Sequence, residues 1–104
     1  MKNELTCVRG DPVSFAVYHT EEDKVYELKD NEFYRMKIKG NLNEDNESFV
    51  ADSQSNQFCF DHNLAVGKYY FEISVATSEK SRVIMPATDK DGVALNTLYI
   101  TERL

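Results

Sequence analysis

The feature that most restricts how this chain can fold is an alternating segment at residues 64–77, LAVGKYYFEISVAT. From residue 69 onward its odd positions are large and aromatic or aliphatic: Tyr69, Phe71, Ile73 and Val75. A period of two with one apolar face is typical of a half-buried β-strand. We therefore predict a central strand here, with the other segments packed around it.

Length and composition favour a single all-β domain. The chain has 104 residues, is 41% hydrophobic, and contains six Tyr and six Phe but no Trp. Aromatic residues of this kind suit the pleated surface of a sheet. A chain of this length buries roughly two thirds of the surface that its unfolded form exposes, which is enough for one core. We predict one domain spanning residues 1–104.

Period-two patterns and turn residues predict the other strands. These lie at residues 5–9, 13–20, 33–39, 47–51, 56–61, 82–86 and 93–102. The segments 47–51 and 56–61 are predicted to form a hairpin. Residues 19–32 are compatible with either an irregular edge strand or a short helical turn. Asp91-Gly92 predicts a tight hairpin turn, because this dipeptide favours positive φ angles. About seven to eight short strands without a convincing helix indicate an antiparallel β-sandwich or barrel.

The turn before the central strand favours the sandwich. Leu64, Gly67 and Tyr69 form an L-x-x-G-x-Y pattern, which resembles the tyrosine corner of immunoglobulin-like sandwiches. In antibody-type sandwiches a cysteine stands two residues after the corner tyrosine, and here that residue is Phe71. We expect Leu64 and Tyr69 to be buried, and replacement of Tyr69 by Ala to cost about 3–5 kcal/mol of stability.

The charge distribution excludes one class of partner. The net charge of −6 argues against a nucleic-acid ligand, because phosphate binding requires a basic face. Residues 41–67 contain no Lys or Arg but hold five Asp and Glu residues. We expect this acidic region to keep the protein in solution, with the orientation of a basic partner as the alternative.

Neither the N-terminus nor any later segment predicts membrane targeting. The opening sequence MKNELTCVRGDPV has no apolar stretch like that of a secretory signal. No run approaches the roughly 20 apolar residues that a membrane helix needs. We therefore expect folding in a cytoplasm and no membrane partner. Under those conditions Cys7 and Cys59 are expected to be free thiols, a disulfide between them being the alternative.

The candidate chemical motifs all have simpler interpretations. His19 and His62 stand among polar neighbours and are expected to be surface residues. Residues 89–92 resemble a fragment of a calcium loop, and residues 44–47 form an acidic cluster, but neither has a full ligand set. The tripeptide at residues 9–11, Arg-Gly-Asp, is interpreted as a glycine turn rather than an adhesive motif. We predict no enzymatic activity, no catalytic residue, no metal site and no cofactor.

Five motifs in order along the chain resemble the small immunoglobulin-like domain at the N-terminus of phage baseplate upper proteins. They are VRGDPVSFAVY at residues 8–18, YRMKIK at 34–39, QFCF at 57–60, LxxGKY at 64–69 and LxIT at 98–101. The resemblance implies an immunoglobulin-like β-sandwich that docks on other virion proteins in a tail or baseplate. The chain differs by a hairpin around residues 89–92 and by the lack of a receptor-binding region after residue 104, so a small accessory subunit or prophage product is expected.

The leading functional hypothesis is therefore a non-enzymatic structural or assembly protein of a phage or prophage. It is expected in the virion, and in the host cytoplasm during assembly, with other virion proteins or further copies of itself as partners. The predicted docking elements are the hairpin at residues 86–96 and the terminal strand at 97–104, which would extend a neighbour's sheet.

Two further hypotheses come from other classes. The first is a carbohydrate- or ligand-binding sandwich that uses Tyr18, Tyr70 and Tyr99, which are expected on outward faces. The second is a protease inhibitor that acts through its acidic loops.

Overall fold

The computed structural model describes residues 2–41 and 49–104. The regular structure of these residues consists entirely of β-strands. They are β1 (Asn3–Val8), β2 (Val13–Ala16), β3 (Thr20–Glu21), β4 (Lys24–Val25), β5 (Phe33–Lys39), β6 (Phe49–Ser53), β7 (Gln57–Phe60), β8 (Gly67–Ala76), β9 (Ser81–Met85) and β10 (Asn96–Thr101).

The strands form two packed layers and one separate small hairpin. The large sheet has the order β1-β10-β8-β5-β6, with β9 also paired to β8. The small sheet contains β2 and β7, and β3 pairs with no described strand other than β4. Strand β1 is parallel to β10, and the other named pairs are antiparallel. The predicted all-β sandwich is confirmed.

The inward face of β8 forms the centre of the core, as its alternating sequence predicts. Phe71, Ile73 and Val75 are buried. The Phe71 ring lies 6.3 Å from that of Phe15 in the small sheet. Phe15 in turn stacks on Phe58 of β7, with 5.2 Å between the ring centroids. Aromatic contacts therefore join the two layers.

The corner before β8 differs from the prediction at one residue. Leu64 is buried, as expected, but Tyr69 is only half-buried against the core. Its hydroxyl donates a hydrogen bond to the carbonyl of Ala65, four residues earlier, at 2.8 Å. Reaching this exposed carbonyl draws one end of the ring to the surface. Phe71 is buried more completely than Tyr69, so we expect its ring to contribute more to the free energy of unfolding.

The predicted hairpin between residues 47–51 and 56–61 is wrong. Strand β6 pairs with β5 in the large sheet, whereas β7 pairs with β2 in the small sheet. The chain crosses between layers at residues 54–56, and stacked rings of Phe49 and Phe60, 5.4 Å apart, lie on the two sides of the crossing. An alternating pattern fixes which face is buried but not which strand is the neighbour. Residues 47 and 48 lie outside the described residues.

Residues 19–32, left open by the sequence, contain the β3–β4 hairpin. Its turn residues Glu22 and Asp23 both have positive φ, 54° and 64°. Both central residues of a two-residue type I′ turn adopt such angles. Neither residue is a glycine, which explains why the sequence did not reveal the turn.

The terminal strand is not the open edge that the sequence suggested. Strand β10 lies between β1 and β8, so both of its sides are already paired. The prediction that residues 97–104 extend a neighbour's sheet is therefore wrong for the strand itself. Strand β9 is an edge strand, as predicted, since among the described strands it pairs with β8 alone and it ends immediately before Pro86.

Two substitutions test how stability is divided in this corner. Phe71→Ala is expected to lower the free energy of unfolding by about 3–5 kcal/mol, because it removes a buried aromatic ring. Tyr69→Phe loses only the bond to Ala65 and is expected to cost about 1 kcal/mol. Urea denaturation of both variants measures these losses. Equal losses, or a larger one for Tyr69→Phe, would contradict this division.

Candidate functional site

A short arm at residues 86–95 connects β9 to β10. Its two sides are joined by a bridge between Thr88 and Ala94. The N–H of Leu95 donates to the carbonyl of Ala87 at 2.8 Å, and the N–H of Asp89 donates to the carbonyl of Val93 at 2.9 Å. The arm is therefore a hydrogen-bonded hairpin, as residues 89–92 predict.

The tip of the arm is fixed by Asp89. Its carboxylate Oδ1 accepts hydrogen bonds from the backbone N–H groups of Asp91 and Val93, both at 2.9 Å. The N–H of Gly92 donates to the Asp89 carbonyl at 3.1 Å, and Gly92 alone of these residues has positive φ, 82°. The turn is thus a type I turn closed by a left-handed glycine. These contacts explain residues 89–92 without a bound cation.

The base of the arm is fixed by two asparagines that sequence reasoning missed. Asn96 is only 1% exposed. Its side-chain amide donates to the carbonyl of Pro86 at 2.7 Å, and its side-chain oxygen accepts from the amide of Asn3 at 2.8 Å. A buried amide with both ends bonded specifies one geometry. No local sequence signal singles out Asn96, because Thr97 and Thr101 in the same strand are polar as well.

The arm borders a basic and aromatic region on the outer face of the large sheet. A cavity of about 230 Å³ lies between Lys39, Tyr70 and the first residues of the arm. The ammonium group of Lys68 lies 5.5 Å from the ring centre of Tyr70 and 5.9 Å from that of Tyr99. Tyr70 and Tyr99 are half-buried and face outward, as predicted. Tyr18 is 77% exposed and lines a different cavity.

A polar network joins the β3–β4 hairpin to β9. The carboxylate of Glu21 accepts from Arg82 at 2.8 Å and lies 3.0 Å from Nε2 of His19. The bond from Arg82 is the main reason why the pKa of Glu21 is lowered, and His19 lowers it further. The His19 side chain is half-buried, at 18% exposed. It packs 5.7 Å from the ring of Tyr26.

In the second half of this network, Tyr26 contacts Glu32 through its hydroxyl and Arg82 through its ring. Its hydroxyl donates to Glu32 at 2.5 Å, which raises the pKa of Tyr26 and lowers that of Glu32. The guanidinium of Arg82 covers the Tyr26 ring at 5.2 Å. The acidic, basic and aromatic groups here are therefore bonded to one another. This arrangement is an ion-pair network that connects the β3–β4 hairpin to β9.

His62 and Cys7 meet in the structure, although the sequence separates them. Nε2 of His62 lies 3.8 Å from Sγ of Cys7. The N–H of Leu64 donates to Nδ1 of His62 at 3.1 Å, so a neutral ring has its proton on Nε2, facing the sulfur. Burial, aided by the charge of Asp11, raises the pKa of the Cys7 thiol. The ring does not act as a base toward this thiol, which remains protonated.

The cysteines are free in the structure, with Cys7 buried and Cys59 exposed. This agrees with the expectation of two free thiols rather than a disulfide.

The Arg-Gly-Asp tripeptide forms a glycine turn, as predicted. The N–H of Asp11 donates to the carbonyl of Val8 at 3.0 Å, and Gly10 has a φ of 90°. This is the geometry of a type II turn. The Asp11 carboxylate is held by Arg103, and Arg9 lies 3.5 Å from Glu102.

The remaining candidate sites and the comparisons add no identification. The part of the chain that the structure describes contains no cluster of three or more potential metal ligands and no helix long and apolar enough to cross a membrane. The acidic cluster at residues 44–47 lies outside the described residues. Comparisons with protein-family models, with curated proteins and with solved structures find no match.

The Glu21 network predicts a stability change in acid. The pKa of Glu21 is lowered in the folded state, so its contribution is present above the unfolded pKa and is lost as the pH falls through the folded value. Glu21→Gln is therefore expected to flatten the dependence of stability on pH between about pH 5 and 3. Thermal denaturation across this range measures the effect. Glu27→Gln, at an exposed site, is the control, and equal curves for wild type and Glu21→Gln would contradict the prediction.

Proposed function

We propose that this chain is a non-enzymatic structural or assembly protein of a phage or prophage virion, of the tail or baseplate type. It acts through protein–protein contacts made by the arm at residues 86–95. Its location is the virion, and the host cytoplasm during assembly. The observation that supports the proposal most is that hydrogen bonds hold the arm at both its tip and its base.

An arm that is hydrogen-bonded at its tip and base favours binding, because little conformational entropy remains to be lost. Asp89 closes the tip, and Asn96 closes the base from a buried position. Preorganised segments bind more tightly than mobile ones for the same contacts. Val93, an apolar residue near the tip, is exposed, and an exposed apolar residue on a rigid support is a suitable anchor for a partner.

The immunoglobulin-like assignment is part of this proposal. Strand β2 pairs with β7 in one sheet, while β10, β8, β5 and β6 follow one another in the other. This order resembles that of the immunoglobulin sandwich, whose second and fifth strands pair in one sheet. The bond from Tyr69 to Ala65 supports it further. The departures are the two-stranded small sheet and the arm between the last two strands.

Crosslinking with a matched pair of variants tests the role of the arm. Gly92 and Gly10 both have positive φ, and a Cβ added at either would meet no atom within 4 Å. Alanine at either position therefore imposes a similar backbone strain of about 1–2 kcal/mol. Gly92→Ala distorts the arm, whereas Gly10→Ala distorts a turn elsewhere in the molecule.

We expect lysine crosslinks from Lys90, at the exposed tip, to products of neighbouring virion genes. They should fall about tenfold in Gly92→Ala, a loss of roughly 1.4 kcal/mol in binding, and persist in Gly10→Ala. Size-exclusion chromatography of particles reconstituted with each variant gives the second readout. A chain that stays monomeric and separate from virions, or equal crosslinking by both variants, would contradict the proposal.

A second candidate function, carbohydrate or ligand binding, is favoured by the outer face beside the arm. Two outward tyrosines flank Lys68, and the 230 Å³ cavity adjoins Tyr70. Sugar rings stack on such aromatic faces, and a lysine favours acidic sugars.

A glycan array that includes uronic-acid and sialylated sugars tests this candidate. Binding is expected to be lost in Tyr99→Ala and kept in Tyr18→Ala, which changes an exposed tyrosine away from the cavity. An array without hits, or equal loss in both variants, would contradict it.

A further inference from the structure

A groove runs along one side of the sandwich between β1 and β2. These strands are joined by the turn at residues 9–12 but belong to different sheets, β1 beside β10 and β2 beside β7. Two cavities of about 420 and 300 Å³ lie between them, and both have Leu5 and Phe15 in their walls. The two cavities are therefore parts of one groove.

One wall of the groove is an unpaired strand edge. The N–H of Val17 donates to the carbonyl of Asn56 at 2.7 Å. Because alternate residues of a strand bond to the same neighbour, Val13, Phe15 and Val17 direct their main-chain groups toward β7. The main-chain groups of Ser14, Ala16 and Tyr18 consequently point the other way, into the groove. Among the described residues, β2 pairs with β7 alone.

The floor of the groove is apolar. Leu5, Phe15, Ile84 and Met85 pack against the core but are only partly buried, and all four line the larger cavity. A strand lying beside β2 would direct every second side chain toward this floor. The groove thus offers main-chain hydrogen bonds along its wall and apolar contacts beneath them.

We propose that this groove binds an extended segment of a partner protein, of alternating apolar and polar sequence, as an added strand beside β2. Successive unpaired N–H and C=O groups with a spacing of two residues are matched by an extended main chain rather than by a small molecule. The proposal does not depend on the phage assignment or on the arm.

A tethered strand tests it on the full chain. The N–H of Arg9 donates to the carbonyl of Thr101 at 2.8 Å, so the end of β10 lies beside the turn that leads into β2. A flexible Gly/Ser linker of about ten residues after Leu104 can therefore deliver a strand to the groove. The added strand has about seven residues that alternate Thr and Val. The control replaces its central Val with Pro.

The expected result is slower amide hydrogen exchange at Ser14, Ala16 and Tyr18, by about tenfold or more, together with a higher denaturation midpoint. The proline control should show neither change. Unchanged exchange at these amides, or equal protection by the control, would overturn the proposal. Protection at Glu4, Thr6 and Val8 would instead identify β1 as the accepting edge. Concentration-dependent protection without the extension would identify a second copy of the chain as the occupant.

Discussion

The pairing of β8 determines most of the architecture. One side of β8 pairs with β5 from Tyr70 to Ala76, while its other side is divided between β10 and β9. The division falls near a bulge between Ile73 and Ser74. Two strands cannot bond to the same backbone groups, so the residues connecting β9 to β10 must leave the sheet. The arm is therefore a consequence of how β8 is shared, and the buried amide of Asn96 bonds the carbonyl of its first residue, Pro86.

The sequence predicts strands well where a period of two is complete, and predicts their neighbours poorly. The predicted bounds of β5 agree with the structure, Phe33–Lys39, because its alternate residues leave no ambiguity about the buried face. The same kind of pattern placed β6 and β7 in one hairpin, although they lie in different sheets. Pairing is decided by contacts between distant residues, such as those of Val13 with Phe60 across β2 and β7, and alternation contains no information about them.

The candidate site was predictable only where its geometry is local. The turn at the tip of the arm follows from Asp91-Gly92, since a glycine is required at the positive φ angle. The network around Glu21 was not predictable, because Arg82 is 61 residues away along the chain. Asn3 and Asn96, which fix the base of the arm, are 93 residues apart. Contacts at such separations depend on the whole topology being known first.

The buried polar side chains of the described residues all have hydrogen-bond partners, which affects the kind of function that the molecule favours. Glu21, Arg82 and Tyr26 are bonded within one network, and among the described residues no buried side-chain N or O atom lacks a partner. A group already bonded in this way must break a contact before it can bind a ligand. The main-chain groups on the open side of β2 are not bonded to another described strand. A partner that binds at this strand edge therefore breaks fewer contacts within the protein than one that binds the side-chain network.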